Sequence, residues 1–270
     1  MHKVGWLVVR MQRISTAVLA EKYAKGRGKT ADGIFRRVAH ALACCEQANR
    51  RAHEQLFLRS LHEGFIGGGR IMASAGIAGD ATLINCFVQP IGDDIDLALR
   101  EATETMRCGG GVGYNFSPVP PQGTLGAGPV ACIERFDSSR AEGESAGARR
   151  GAQMAVLDCD HPDILRFVHA KDCGGLTRFN LSVGVSDAFM QAVQDDGDWE
   201  LVHAVRPALP VRRRGEAWVY ETIRARALWD EIMRATWDHA EPGVLFFDRI
   251  NRDNNLSYLE RIAATNPCGE

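Results

Sequence analysis

Apolar residues recur at helical spacing in the first third of the chain and at alternating or clustered positions in short runs after it. Ile34, Val38 and Leu42 stand four residues apart, which predicts a helix with one apolar face. The glycine-rich stretch from Gly64 to Gly69 ends that region. Thr82–Pro90 reads as partly β-like, closed by proline, and Asp93–Arg107 as a helix with Ile95, Leu99 and Ala102 inward. Cys108–Phe116 reads as a glycine-rich turn running into a short strand, followed by a Pro/Gly loop to Gly128. A glycine- and arginine-rich loop spans Glu142 to Gln153, and a strand is predicted at Met154–Leu157. Asp160-His161-Pro162 has the polar cap and early proline of a helix start, with Ile164, Phe167 and Val168 as its apolar face.

Further on, Asn180–Val185 is β-like, and Ser186-Asp187 caps a helix carrying Phe189, Met190 and Val193. Residues 205–216 are basic and read as a solvated loop. Leu228, Ile232 and Ala235 mark a helix stopped by Pro242-Gly243, and Val244–Phe247 is a buried strand candidate. Strands alternating with helices predict an α/β fold.

Composition narrows the class. With 45% hydrophobic and 24% charged residues, 270 residues suffice for one large domain or two small ones. The net charge of -2 supplies no basic field for nucleic acid. The longest apolar runs, such as Trp6-Leu7-Val8-Val9, are far short of a membrane span, and the N-terminus lacks the apolar centre of a signal peptide. The reading is a cytoplasmic protein with no membrane partner. The eight cysteines are irregularly spaced and include no Cys-x-x-Cys pair, so they read as reduced thiols. Cys44 and Cys45 read as small apolar residues on a helix.

Most motif-like segments fail on inspection. Gly26-Arg27-Gly28-Lys29-Thr30 lacks the first glycine and the preceding strand of a phosphate-binding loop. Gly109–Gly113 lacks the third glycine of a dinucleotide fingerprint, and is either a tight turn or a ligand-contacting one. Arg149-Arg150 could clamp a phosphate or form a solvated turn. The histidines are scattered and the acidic pairs look solvated, so no metal site is expected. Asn266-Pro267-Cys268-Gly269-Glu270 stands apart. It sets a thiol two residues from an amide and two from a carboxylate, a set able to run thiol or radical chemistry on a hydroxylated substrate.

Together these segments resemble the catalytic subunit of ribonucleotide reductase, most closely the adenosylcobalamin-dependent class II enzymes. The matching stretches run in order over residues 13–270. They include Phe35-Arg36-Arg37-Val38-Ala39, Gly69–Gly76, Asn85-Cys86-Phe87-Val88, Gly109–Tyr114 and Ala146–Met154. Asp160–Asp163, Phe179–Val183 and Asn266–Glu270 complete them.

The resemblance implies a helical region at 1–68, then the first half of a ten-stranded α/β barrel at 69–270, with the radical-cysteine finger loop at the C-terminus. It implies reduction of ribonucleotides to deoxyribonucleotides for DNA synthesis. In catalysis, Cys268 would be the thiyl-radical cysteine, Glu270 the base for the 3′ hydroxyl, Asn266 the amide that orients substrate hydroxyls, and Cys86 one of the reducing pair. Ser74, Asn85, Gly110, Gly111 and Arg150 would contact substrate. Asp93, Ser145 and Arg149 would bind a dNTP effector that selects the substrate base, a coupling that should be reciprocal.

The implied cofactor is adenosylcobalamin, held mostly by residues outside this chain. The implied partners are a ribonucleotide, a dNTP, a thioredoxin- or glutaredoxin-type reductant, the C-terminal remainder of the enzyme and a second copy in a homodimer. A half barrel would expose strand edges and apolar surface, so the chain alone is expected to be poorly stable and inactive until a second polypeptide completes it. Two departures from the family stand out. Asn115–Gly123 lacks a basic residue for effector phosphates, and Glu142 and Glu144 add negative charge beside the specificity loop. A class I large subunit and a non-catalytic dNTP-binding module are the alternatives.

Overall fold

A computed structural model describes residues 12–24, 30–79, 81–139, 152–208 and 211–269. They divide into two compact units, one ending at Asn85 and one beginning at Cys86.

The first unit is helical. Helix α1 (Arg13–Val18) passes into a π-helical turn, Leu19–Tyr23. Helices α2 (Ala31–Ala43), α3 (Arg50–His62) and α4 (Gly69–Ser74) follow. Thr30 starts α2 by accepting the Gly33 N–H at 3.1 Å. Ile34 and Val38 are buried as the periodicity predicts, joined by Ala39, Leu61, Met72 and Ala75. Arg37 donates to the carbonyls of Met72 (2.8 Å) and Ala75 at the end of α4. Because α4 packs in this cluster, the helical unit extends beyond residue 68, where the sequence reading closed it. Cys44 and Cys45 follow the last turn of α2 and are exposed, not apolar filling as their sequence setting suggested.

The second unit is α/β. Its strands are β1 (Cys86–Val88), β2 (Gly111–Asn115), β3 (Gln153–Asp158) and β4 (Phe179–Val185). Between them come α5 (Ile95–Arg107), α6 (Gly128–Ser138) and α7 (Ile164–Val168). After α8 (Asp187–Gln194) lies a small antiparallel sheet: β5 (Asp198–His203), β6 (Arg213–Arg214) and β7 (Ala217–Arg224). Then α9 (Ala225–His239), β8 (Gly243–Phe246) and α10 (Phe247–Arg252) complete it. The main sheet is parallel, in the order β1-β2-β3-β4-β8.

Period-2 alternation divides this sheet into two unlike faces. Phe179, Leu181, Val183 and Val185 of β4 join Val112, Tyr114, Ala155 and Leu157 in the helix-covered core. Asn180, Ser182 and Gly184 fall on the other face, with Gly111, Gly113 and Asn115 of β2. The core side is aromatic. Phe136 meets the Tyr114 ring edge-on at 5.2 Å, and the Tyr114 hydroxyl donates to buried Gln153 at 3.0 Å.

Local structure departs from the sequence reading in three places. Helix α5 begins at Ile95, because Asp94 is its N-cap and accepts the Leu97 N–H at 2.9 Å. Helix α7 begins at Ile164, after the Asp160-His161-Pro162 signal. There the Asp160 carbonyl accepts from Val202 of β5, and the His161 ring takes the Asp163 N–H. The stretch 205–216 is not wholly loop: Arg213–Arg214 pairs with β7.

Candidate functional site

The segment after α10 crosses the second face of the main sheet, where the β2 glycines, Asn180 and Ser182 neighbour Met154 and Val156 of β3, and Ile262 of the segment packs with these two and Phe247. Asn251 grips its start: Nδ2 donates to the Ile262 carbonyl at 2.8 Å, and Oδ1 accepts the Ile262 N–H at 2.7 Å. Asn115, the last residue of β2, donates to the Ala263 carbonyl at 2.8 Å. Two residues back along β2, a Cβ on Gly113 would lie 1.8 Å from the Thr265 carbonyl oxygen. Two further back, a Cβ on Gly111 would lie 3.0 Å from the Pro267 ring. Ala263, Thr265 and Pro267 thus track Asn115, Gly113 and Gly111 step for step. The segment runs extended and antiparallel to β2, and only glycines allow it so close.

Its tip delivers a thiol. The Cys268 sulfur lies 3.7 Å from that of Cys86, the first residue of β1. Cys268 is exposed and Cys86 half-buried. Asn266 is buried, and its side-chain oxygen accepts the Cys268 N–H at 3.1 Å. Asn180 donates to the Pro267 carbonyl at 2.9 Å. Two neighbouring sulfurs beside a hydrogen-bonding amide can exchange hydrogen atoms or electrons with a bound molecule and then with each other.

The opposite, carboxyl edge of the strands differs in character. A cavity of about 210 Å³ is lined there by Asn115, Asp158, Asp160, Trp199, Asp248 and Arg261, among others. Burial, then the charge of Asp160, pushes the Asp158 carboxyl up to about 6, while hydrogen bonds from Ser117 and Asn115 pull it down. Burial also raises Asp160. Beside this edge, burial drives His161 down to about 4. Its Nδ1 accepts the Asp163 N–H, so Nε2 is the donor to the Val119 carbonyl at 3.1 Å. Burial pushes the core thiols Cys132 (to about 11) and Cys159 upward, which makes both poor nucleophiles.

The sequence-derived site residues separate into groups. Cys86, Asn266, Cys268 and Gly111 come together, with Gly111 against Pro267. Gly110 is buried, and a Cβ there would sit 2.6 Å from the Phe87 ring. Asp93 is exposed just before the α5 cap. Ser74, buried at the end of α4, and exposed Asn85 belong to the helical unit. Glu270, Ser145, Arg149 and Arg150 lie outside the described residues. Sequence reasoning missed Asn115, Asn180, Asn251 and Gly113. For Asn180 a signal existed, since it opens the polar alternate positions of an otherwise apolar strand.

Among the described residues, no three His, Cys, Asp or Glu side chains are arranged to hold a metal ion, and no helix is long and apolar enough to cross a membrane. The fold and site define a parallel α/β domain that presents a thiol pair at the amino edge of its sheet. Residues 84–270 match the ribonucleotide reductase barrel domain. The chain belongs to the ribonucleotide reductase family.

It is 36% identical, over 97% of its length, to the vitamin B12-dependent ribonucleoside-diphosphate reductase of Mycobacterium tuberculosis, of which it covers 40%. The protein of that name from Thermoplasma acidophilum is also 36% identical, over 68% of this chain and 24% of its own length. A vitamin B12-dependent ribonucleotide reductase of Streptomyces coelicolor is 30% identical, over 78% of this chain and 24% of its own length. The chain therefore spans two fifths or less of the length of these relatives.

Proposed function

We propose that this chain carries the radical thiol of a class II ribonucleotide reductase, reducing ribonucleoside diphosphates to deoxyribonucleotides. The observation that carries this reading is the Cys268 sulfur, held 3.7 Å from Cys86 at the end of a segment laid over a glycine-lined sheet face. In this reading the segment is the finger loop of a ten-stranded barrel. The remaining strands, and the seat for adenosylcobalamin, correspond to the part of the relatives that this chain does not span.

The cofactor requires a thiol that can be reached, and exposed Cys268 fits that requirement. When bound, adenosylcobalamin supplies the one-electron chemistry that removes a hydrogen atom from a thiol. The residues of this chain do the rest. Cys268, as thiyl, takes the 3′ hydrogen of the ribose, and the Asn266 NH2 holds a ribose hydroxyl. Glu270 accepts the 3′ hydroxyl proton. Cys86 contributes one of the two thiols that reduce the sugar and end as a disulfide, which a thioredoxin- or glutaredoxin-type protein then reopens. Asp93, Ser145 and Arg149 are assigned to a dNTP effector, and Ser74, Asn85, Gly110, Gly111 and Arg150 to substrate. A cytoplasmic homodimer is the proposed setting.

The test supplies this chain with a polypeptide corresponding to the rest of a relative, plus adenosylcobalamin and a dithiol, and measures deoxyribonucleotide formation. Turnover is expected, with complete loss in Cys268→Ser, because a hydroxyl O–H is too strong to replace the thiol in reversible hydrogen transfer. Turnover retained by Cys268→Ser would end this reading.

A further inference from the structure

The peptide unit between Pro267 and Cys268 is held at both ends. Its carbonyl oxygen accepts from Asn180 Nδ2 at 2.9 Å, and its N–H donates to Asn266 Oδ1 at 3.1 Å. Its proline ring abuts Gly111. A peptide is planar, so fixing both ends fixes where the Cys268 Cα begins. The other amide clamps are remote from the thiol: Asn251 holds Ile262 and Asn115 holds Ala263.

We propose that Asn180 is a positioning residue for the reactive thiol: by donating to the Pro267 carbonyl, it keeps the Cys268 sulfur in register with Cys86. Its catalytic meaning rests on Cys268 being the radical thiol. Its fold role is small. Asn180 is exposed, and the strand around it is paired with β3 and, further along, with β8. The donor is essential. An aspartate would turn a carboxylate oxygen toward the Pro267 carbonyl and repel it, whereas the protonated acid could donate again. A leucine could do neither.

The experiment reads geometry without turnover. The full chain is equilibrated with oxidised and reduced glutathione. Two thiols and one glutathione disulfide give the Cys86–Cys268 disulfide and two reduced glutathiones, and mass spectrometry quantifies the crosslinked peptide. Below the thiol pKa values both sides of this equilibrium carry the same number of protons, so the effective concentration of the pair is independent of pH. Wild type is expected to crosslink efficiently. Asn180→Leu should lower the effective concentration about fivefold to tenfold, the scale of one lost hydrogen bond. Asn180→Asp should show the same loss at neutral pH and recover in acid, a response that a general loosening of the fold would not give.

A urea-unfolding curve checks that each variant is folded, and the near-isosteric aspartate variant decides the matter if the leucine variant is not. Wild-type crosslinking by the aspartate variant at neutral pH would overturn the proposal, as would failure of the wild type to crosslink. The radical reading is tested separately, by the Cys268→Ser assay: turnover lost in that variant with wild-type crosslinking by the aspartate variant would sink the positioning role alone.

Discussion

Replacing Gly113 by alanine should dislodge the thiol-bearing segment while leaving the sheet beneath it intact. Gly113 is paired with Val88 on one side and Met154 on the other, so its backbone cannot move without breaking two ladders. The new Cβ would lie 1.8 Å from the Thr265 carbonyl oxygen and 2.9 Å from the Asn266 Cα. These are backbone atoms with no rotamer to change. To restore ordinary contact near 3.5 Å, the segment must retreat by roughly 1.7 Å. That takes Pro267 out of reach of Asn180 and separates Cys268 from Cys86. Overpacking of this kind costs about 1–3 kcal/mol, read as a lower urea midpoint. Gly197→Ala is the control. Its nearest atom would be 3.6 Å away, and its backbone is not left-handed. That variant should be unchanged or gain about 0.4–1 kcal/mol through a less flexible unfolded chain. The Cys86–Cys268 crosslink should be lost in Gly113→Ala and kept in Gly197→Ala. A Gly113→Ala chain with both wild-type midpoint and wild-type crosslinking would refute the close-approach argument.

Two further outcomes follow from buried groups. His161, at about 4 when folded against 6.5 when unfolded, contributes about 3 kcal/mol above pH 6.5 that is lost as pH falls toward 4. Asp158, raised to about 6, works the other way, its charge costing about 3 kcal/mol at pH 7, a cost that fades as pH falls from 6 and is nearly gone by pH 4. The two partly cancel, so Asp158→Asn should be more stable than wild type at pH 7 in urea titrations and lose stability more steeply on acidification. Equal pH slopes for the two proteins would contradict this assignment. The Thr265 hydroxyl is buried without a hydrogen-bond partner, so Thr265→Val should leave the thermal midpoint unchanged or raise it. A clear fall would mean that the hydroxyl is satisfied.

The parts legible in the sequence were those whose cause is local. The apolar alternation of β4, the Ser186 cap (accepting the Phe189 N–H at 3.1 Å) and the spacing of Leu228, Ile232 and Ala235 on α9 each depend on residues within a turn or two. The strand pair β5–β7 was missed although Trp199, Leu201 and His203 alternate, because charged neighbours on either side look like solvated loop. The pairing of Cys86 with Cys268 was equally invisible. It joins residues 182 apart, and no pattern local to either cysteine announces the approach. The requirement for glycine at 113 comes from Thr265, far along the chain, so no pattern around Gly113 could announce it.

The way the segment is held bears on how the site must work. It lies on a face of the sheet rather than at an edge, where strand pairing could hold it. The N–H groups of Ile262 and Cys268 go instead to asparagine side chains, and the carbonyls of Ala263 and Pro267 to two more. Side-chain clamps of this kind contribute about 1 kcal/mol each, too little to anchor a strand alone but enough to select one position for it once glycines have cleared the way. The larger, aromatic core lies on the other face of the same strands, and on this face a smaller cluster of Met154, Val156 and Phe247 packs Ile262 at the start of the segment. Substitutions among the asparagines should therefore change the placement of Cys268 by larger factors than they change the folding equilibrium. The small cluster anchors the segment at Ile262, and the asparagines set where its far end, with the thiol, comes to rest.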